Sequence, residues 1–95
     1  MEKSKAILAV FDVRGMTSAQ YERTIKDLEA AGAGNPRGRK YHVASSKEGG
    51  LFIVDVWESA ELLNEFSKTL VPILQKAGVT PAQPQIYPVH NIIKG

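Results

Sequence analysis

Three side chains that can accept or release a proton lie within apolar stretches of this sequence of 95 residues. Asp55 follows Ile53 and Val54, while His42 and His90 each stand beside a valine. A carboxylate inside an apolar strand is costly unless it is paired, hydrogen-bonded or protonated. An imidazole can act as a base near neutral pH. We therefore predict that Asp55, His42 and His90 are candidate catalytic residues, with Asp55 as a general base or as a hydrogen-bonding group for a bound substrate.

Each of these three residues also has a purely structural interpretation. Asp55 could be bonded to a neighbouring side chain or to water, and each histidine could be a satisfied strand residue or a contact in a dimer interface. Two histidines and a carboxylate could in principle hold a metal ion. Because the chain has neither cysteine nor a local spacing such as HxH or HxxxH, we expect no metal at this site.

Four further residues are candidates for contact with a bound ligand. Trp57 has the same strand parity as Asp55, so both side chains should face the same side of a sheet. Tyr21 belongs to the inner stripe of a predicted helix, and its hydroxyl could reach a pocket. Phe66 lies on the apolar face of a second predicted helix. Asn91 is a polar residue of the last predicted strand.

Four strands are predicted from apolar runs that are rich in β-forming residues. They cover residues 6–13, 40–45, 51–57 and 85–93. The second and third are joined by a glycine turn and should form an antiparallel hairpin. A proline in the last run cannot donate to a ladder, so we expect that strand at a sheet edge or with its proline facing outwards.

Two helices are predicted between these strands. The first begins after Thr17, which has the spacing of a capping box, and ends at Gly32. The second begins after the N-cap residue Ser59 and ends at Gly78. Pro72 removes one backbone hydrogen bond inside the second helix, so we expect a kink or a break near it.

The element order β-α-β-β-α-β predicts one ferredoxin-like α+β domain over residues 1–95. Right-handed crossovers place the first and third strands in the middle of a four-stranded antiparallel sheet, with both helices on one face. The third strand is apolar on both faces, since Phe52 and Val54 alternate with Leu51 and Ile53. We therefore expect a second copy of the chain to cover the other face, sheet against sheet about a two-fold axis.

Composition limits the classes of partner. The net charge is only +2, and the basic residues are scattered except for Arg37, Arg39 and Lys40, so we expect no nucleic-acid partner. The first apolar run is only about eight residues long and ends in Asp12, which is too short for a leader peptide or a membrane span. The absence of cysteine fits a reducing compartment. We expect a cytoplasmic protein without a membrane partner.

Particular motifs within this element order resemble one known superfamily. A strand that ends in Val-Trp-Glu-Ser at 56–59, a helix with Phe66 and Pro72, and a closing Pro-Val-His-Asn at 88–91 resemble the dimeric α+β barrel superfamily, in its antibiotic-biosynthesis-monooxygenase-like branch. The resemblance implies two ferredoxin-like sheets paired into a barrel, with a pocket between helices and sheet in each subunit. In several members a tryptophan at the end of the third strand lines the pocket, and Trp57 occupies the matching place.

The resemblance also implies candidate activities. Some members are cofactor-independent monooxygenases that act on polycyclic phenols or quinols, and others degrade haem. The haem-degrading members use a histidine of the second helix as iron ligand, but residues 59–77 contain no histidine, so haem ligation of that kind is not expected. Quinol monooxygenase relatives often carry a histidine at about the position of Phe66. This sequence therefore departs from their pattern at that position.

Two hypotheses about function remain. In the first, the protein is a monooxygenase without a cofactor that acts on aromatic or quinol-type substrates, which supply their own reducing power. In the second, it is a non-catalytic dimeric module that binds a small apolar molecule.

Overall fold

Residues 5–95, the part described by the computed structural model, form a four-stranded antiparallel sheet and two helices. In chain order the elements are β1 (Ile7–Arg14), α1 (Ser18–Ala30), β2 (Arg39–Lys47), β3 (Gly50–Trp57), α2 (Ala60–Lys76) and β4 (Gln85–Pro88). The strand order β2-β3-β1-β4 places β1 and β3 in the centre. The predicted ferredoxin-like α+β fold is confirmed. Residues 1–4, which the predicted domain includes, lie outside the described residues.

Both helices begin and end at the predicted signals. The Thr17 side chain accepts a hydrogen bond from the backbone N–H of Gln20 at 3.1 Å, and the Gln20 side chain accepts one from the backbone N–H of Thr17 at 3.0 Å. Ser59 caps α2 through the N–H of Leu62. Gly32, with a φ of 76°, follows the end of α1 and allows the backbone to leave the helix in the left-handed conformation.

The second helix continues through Pro72 as one element, so the expected break does not occur. Pro72 is exposed, and so is Lys68, whose carbonyl would otherwise accept the missing hydrogen bond. A carbonyl on the solvent side of a helix can bond to water instead. This lowers the cost of the proline enough for the packing of the opposite, apolar face to hold the helix together.

The last strand is shorter than predicted, since it ends at Pro88 rather than Ile93. It pairs only with β1, at the edge of the sheet, and Pro88 lies opposite Ile7, the first residue of β1. One further backbone bond joins the N–H of Val89 to the carbonyl of Ala6. Beyond this point the partner strand has ended, so the chain leaves the sheet.

The helix side of the sheet holds two apolar clusters of buried residues. The first comprises Ile7, Ala9, Leu28, Trp57, Leu63 and Phe66. The second comprises Val13, Met16, Leu51 and Val79. Both helices contribute to the first cluster, which fixes them on the same face.

The opposite face of the sheet is covered by neither helix. It carries the side chains of Leu8, Val10, Phe52 and Val54, together with Val43, which pairs with Val54 and is 60% exposed. Among residues 5–95, no helix is long and apolar enough to cross a membrane.

Candidate functional site

A cavity of about 430 Å³ lies between the sheet and the two helices. It separates the two apolar clusters, because Leu28, Leu63 and Phe66 of the first and Val13 and Met16 of the second line it. Its volume lies in the range of sites that enclose a small organic ligand. The walls are mostly aliphatic and aromatic, so a flat apolar molecule would fit its chemistry.

A chain of hydrogen bonds runs from this cavity into the core. The Tyr21 hydroxyl lies 2.7 Å from Nε2 of His42, and Nδ1 of the same imidazole lies 2.7 Å from Oδ1 of Asp55. The indole N–H of Trp57 donates to Oδ2 of Asp55 at 3.2 Å. We call Tyr21, His42 and Asp55 the Tyr–His–Asp chain. All three of its members line the cavity.

The strand register brings the members of this chain together. Asp55 in β3 is the direct partner of His42 in β2, and on its other side it faces Ala9 in β1. Ala9 is fully buried, and its small side chain leaves room for the carboxylate and the indole beside it. Trp57 follows two residues after Asp55 and therefore points to the same face. Tyr21 approaches this group from α1.

The hydrogen-bond partners assign the protons of the chain. The indole of Trp57 can only donate, and an ionised carboxylate can only accept, so Asp55 accepts from both neighbours. His42 then carries its proton on Nδ1, which leaves Nε2 as the acceptor for the Tyr21 hydroxyl. The Asp55 side chain is only 6% exposed, so its charge is held by these two donors rather than by bulk water. The imidazole thus presents Nε2, its unprotonated nitrogen, to the Tyr21 hydroxyl as a proton acceptor.

The phenol of Tyr21 is held in its neutral form. Burial raises the pKa of Tyr21 above its ordinary value of 10.0, and the carboxylates of Asp55 and Glu22 add to the rise. The guanidinium of Arg39 opposes them and lowers the pKa. At neutral pH the hydroxyl therefore keeps its proton and can donate it to His42.

Arg39 is a cavity residue that the sequence did not predict. The predicted second strand begins at residue 40, whereas the structure makes Arg39 the first residue of β2. It lines the cavity, and its guanidinium carbon lies 5.9 Å from the centre of the Phe66 ring. This distance is within the range of cation–π contacts.

A β-bulge explains why Arg39 faces the cavity. Arg39 pairs with Trp57 and Tyr41 pairs with Val56, so Lys40 is an extra residue without a partner in β3. Regular alternation would put Arg39 on the same face as Tyr41, away from the helices. One inserted residue reverses that parity and turns Arg39 towards the helix side. Gly38, whose φ is 89°, is the sequence signal for an irregular start of β2.

Four of the residues predicted for the site meet at the cavity, and the catalytic and binding roles predicted for them stay predictions. Asp55, His42, Tyr21 and Phe66 all line the cavity. Trp57 is completely buried against Phe66, with ring centres 5.3 Å apart. The predicted contact of Trp57 with a ligand stays a prediction, although the indole itself does not line the cavity. The reason is that Asp55 and Phe66 stand between the indole and the cavity.

His90 and Asn91 are not brought to this cavity within one chain. Both were predicted on a strand, but they follow the end of β4 and are exposed. The three-residue set of His42, His90 and Asp55 is therefore not assembled in a single subunit, and no group of three metal-ligating side chains is found in residues 5–95. The roles that we predicted for His90 and Asn91 stay predictions.

Solved structures with similar folds include one cofactor-independent oxygenase. SnoaB, a cofactor-independent oxygenase from Streptomyces nogalater, superposes with a TM-score of 0.58 at 13% identity, over 95% of this chain and 96% of its own. The chain has the fold of the antibiotic biosynthesis monooxygenase-like proteins. A Caulobacter crescentus protein described as such a monooxygenase gives a TM-score of 0.57 at 15% identity, over 90% of this chain and 89% of its own. MupZ from Pseudomonas fluorescens gives 0.60 at 12% identity, over 90% of this chain and 70% of its own.

These similarities confirm the predicted resemblance at the level of the fold. No protein-family model matches the sequence, and no curated protein sequence does. At such low identity the roles of individual residues have to be argued from the geometry of this chain.

Proposed function

We propose that the protein is a cofactor-independent monooxygenase that acts on aromatic or quinol-type substrates, with the cavity as its active site. The observation that carries this proposal is the Tyr–His–Asp chain, which places a proton acceptor beside an apolar cavity. An electron-rich phenol reacts with oxygen much more readily as its anion, so removal of its proton is the step that a protein without a cofactor can accelerate.

The first step is transfer of the substrate hydroxyl proton. The substrate hydroxyl donates to the oxygen of Tyr21, which passes its own proton to Nε2 of His42. The carboxylate of Asp55 then stabilises the imidazolium that forms, through the bond to Nδ1. Because burial raises the pKa of Tyr21, a free tyrosinate is unfavourable, and the two proton transfers should be concerted.

The second step is reaction of the substrate anion with molecular oxygen. The anion transfers one electron to O₂, and the two radicals combine to form a carbon–oxygen bond at a ring carbon that carries hydrogen and lies para to the original hydroxyl or, where the para carbon is substituted as in a quinol, ortho to it. The peroxide takes the proton back from His42 through Tyr21. Loss of the ring C–H proton and cleavage of the O–O bond then release water and leave a quinone. Phenol plus O₂ thus gives quinone plus water, and the substrate supplies all electrons.

The remaining cavity residues bind the ring and exclude water. Phe66 offers an aromatic surface, and its neighbours Leu63 and Leu28 complete an apolar wall. Exclusion of water strengthens the hydrogen bonds of the Tyr–His–Asp chain and protects the substrate radical from side reactions.

Oxygen uptake with candidate substrates tests the proposal. The purified protein is supplied with 1-naphthol and 1,4-dihydroxynaphthalene, the uncatalysed rate is subtracted, and ¹⁸O₂ is used to follow label into the product by mass spectrometry. We expect one labelled oxygen in the product and one in water. Tyr21→Phe and His42→Gln should each lower turnover by roughly 10²–10⁴-fold.

Tyr87→Phe is the matched control, because Tyr87 lies on the edge strand β4 and outside the cavity, and it should keep full turnover. Binding of these compounds without uptake of oxygen would contradict the proposal and favour a non-catalytic binding module. Loss of turnover in Tyr87→Phe as well would show that the Tyr21 effect is not local.

We further propose that two copies of the chain pair through the sheet face opposite the helices. Val43, Val54 and Phe52 present a contiguous apolar surface there, and Val43 is 60% exposed. Such a surface on an isolated small domain favours association. The size of the protein in solution tests this: light scattering should give twice the mass of one chain.

Val43→Glu should convert the dimer to a monomer, since it places a charge in the apolar interface. Ala19→Glu is the control, because Ala19 is exposed in the first turn of α1, where an acidic residue is tolerated. A monomeric wild-type protein, or a Val43→Glu variant that remains dimeric, would contradict this proposal.

A further inference from the structure

Resting on the proposed function, we infer that the cavity selects aromatic substrates that carry a carboxylate or an equivalent anionic group, and that Arg39 binds this group. Arg39 is the only arginine or lysine among the described residues that line the cavity. No ion pair joins it to an aspartate or glutamate within residues 5–95. The cavity therefore contains a cation whose charge is not balanced by a neighbouring carboxylate.

The contacts of Arg39 leave its guanidinium able to bind a ligand. One nitrogen donates to the carbonyl of Gly34 at 3.3 Å, and the group lies over the face of Phe66. A guanidinium has five N–H donors in a planar fork that matches the two oxygens of a carboxylate. The Gly34 bond uses one edge of this fork, so a carboxylate can still be held by a pair of charge-assisted hydrogen bonds.

Asp55 is the only carboxylate among the described residues that line the cavity, and it does not compete for this cation. Both oxygens of Asp55 accept hydrogen bonds, one from His42 and one from Trp57, and the residue is 4% exposed. Both oxygens of Asp55 are therefore occupied by His42 and Trp57, while Arg39 remains available to the ligand. The cavity thus contains a carboxylate whose two oxygens already accept hydrogen bonds and a guanidinium that can still bind an anionic ligand.

The bulge at Lys40 puts the anion-binding group and the proton acceptor on the same wall. Arg39 and His42 both face the helix side of β2, although they are three residues apart. The guanidinium is near enough to Tyr21 to lower its pKa against the effect of burial. A substrate held by Arg39 through its carboxylate would therefore present a hydroxyl on the same ring system to Tyr21. The positive charge would also stabilise the substrate anion that forms there.

A comparison of three ligands with the same ring system tests this inference. Binding of 1,4-dihydroxy-2-naphthoate, its methyl ester and 1,4-dihydroxynaphthalene is measured by calorimetry under nitrogen at pH 7.5, where no oxygenation can occur. We expect the wild-type protein to bind the carboxylate at least about tenfold more tightly than either neutral compound, as charge-assisted hydrogen bonds would give.

Variants of two adjacent basic residues identify the group responsible. Arg39→Gln should abolish the preference for the carboxylate while both neutral compounds still bind, and Arg39→Lys should keep part of it. Lys40→Gln removes an equal charge one residue away, at the unpaired bulge position outside the cavity lining, and should keep the full preference. Thermal unfolding of each variant confirms that it is folded.

The outcomes separate this inference from the proposed function. Equal affinity of the wild-type protein for all three compounds would overturn the role of Arg39 but leave the oxygenase proposal standing. A preference that survives Arg39→Gln, or that Lys40→Gln also abolishes, would likewise overturn it. If the wild-type protein binds none of the three, both the proposed function and the inference fail.

Discussion

The substitution Asp55→Asn removes one charge from the Tyr–His–Asp chain and changes the shape of the side chain very little. The carboxylate accepts from His42 at 2.7 Å and from Trp57 at 3.2 Å, so both of its oxygens are acceptors. An asparagine offers one acceptor oxygen and one NH₂ donor in the same positions. It therefore cannot satisfy both neighbours in the way that the native residue does.

Each orientation of the new amide leaves a defect. If its oxygen faces Trp57, its NH₂ faces His42, which must then accept at Nδ1 and carry its proton on Nε2. The imidazole could no longer accept from Tyr21. If the oxygen faces His42 instead, the NH₂ meets the indole N–H, and two donors oppose each other in a buried position.

The structural contacts set the size of the effect. A hydrogen bond to a charged group contributes about 1.5–3 kcal/mol and a neutral one about 0.5–1.5 kcal/mol, so we expect Asp55→Asn to lower the free energy of unfolding by about 1–2 kcal/mol. For a domain of this size Tm should fall by roughly 5–15 °C. The protein would remain folded at room temperature, yet turnover per folded molecule should fall by roughly 10²–10⁴-fold because the base has the wrong tautomer.

Three measurements check this prediction: denaturant unfolding, oxygen uptake per folded molecule, and ¹⁵N NMR of the imidazole, which should report protonation at Nε2 in the variant. Asp12→Asn is the control, because Asp12 is exposed, pairs with Lys47 at 3.1 Å and does not line the cavity. An Asp55→Asn protein with wild-type turnover, or with the proton still on Nδ1, would refute the assignment of Asp55 as the group that orients His42.

Three further predictions concern stability. Trp57→Ala should lower the free energy of unfolding by about 3–5 kcal/mol, as measured with denaturant, because it removes a completely buried side chain. A loss of stability no larger than that caused by substitution of an exposed residue would contradict the place of Trp57 in the core. Because the folded-state pKa of Tyr21 lies above 10.0, the unfolded state loses this proton first, so wild-type stability should fall as pH rises above about 10, and Tyr21→Phe should make this fall less steep. Gly38→Ala should lower the free energy of unfolding by about 1–2 kcal/mol because of its φ of 89°, and by more because the new Cβ would meet Leu62. Gly49→Ala, with a φ of 84° and open space around it, should show only the conformational cost. Equal losses on denaturation would contradict the close packing at Gly38.

Local signals in the sequence determined which elements form and which face of the sheet Asp55 occupies. The capping residues Thr17 and Ser59 act on backbone groups within the next three positions, so their effect can be predicted without knowledge of the rest of the fold. Strand alternation likewise placed Asp55 and Trp57 together on the helix side. The apolar face of the second helix, which includes Phe66, was also predicted, and Trp57 packs against it.

Only the tertiary structure decided which of these side chains meet. The choice of His42 rather than His90 as the partner of Asp55 depends on the register between β2 and β3 and on the residue at which β1 begins, because β4 stops pairing there. Both are set by contacts between residues far apart in sequence. The exposure of Arg39 to the cavity depends on a single unpaired residue, Lys40. One extra residue in a strand reverses the face of every side chain on one side of it, and the alternation of apolar residues alone does not reveal where such a residue will be accommodated.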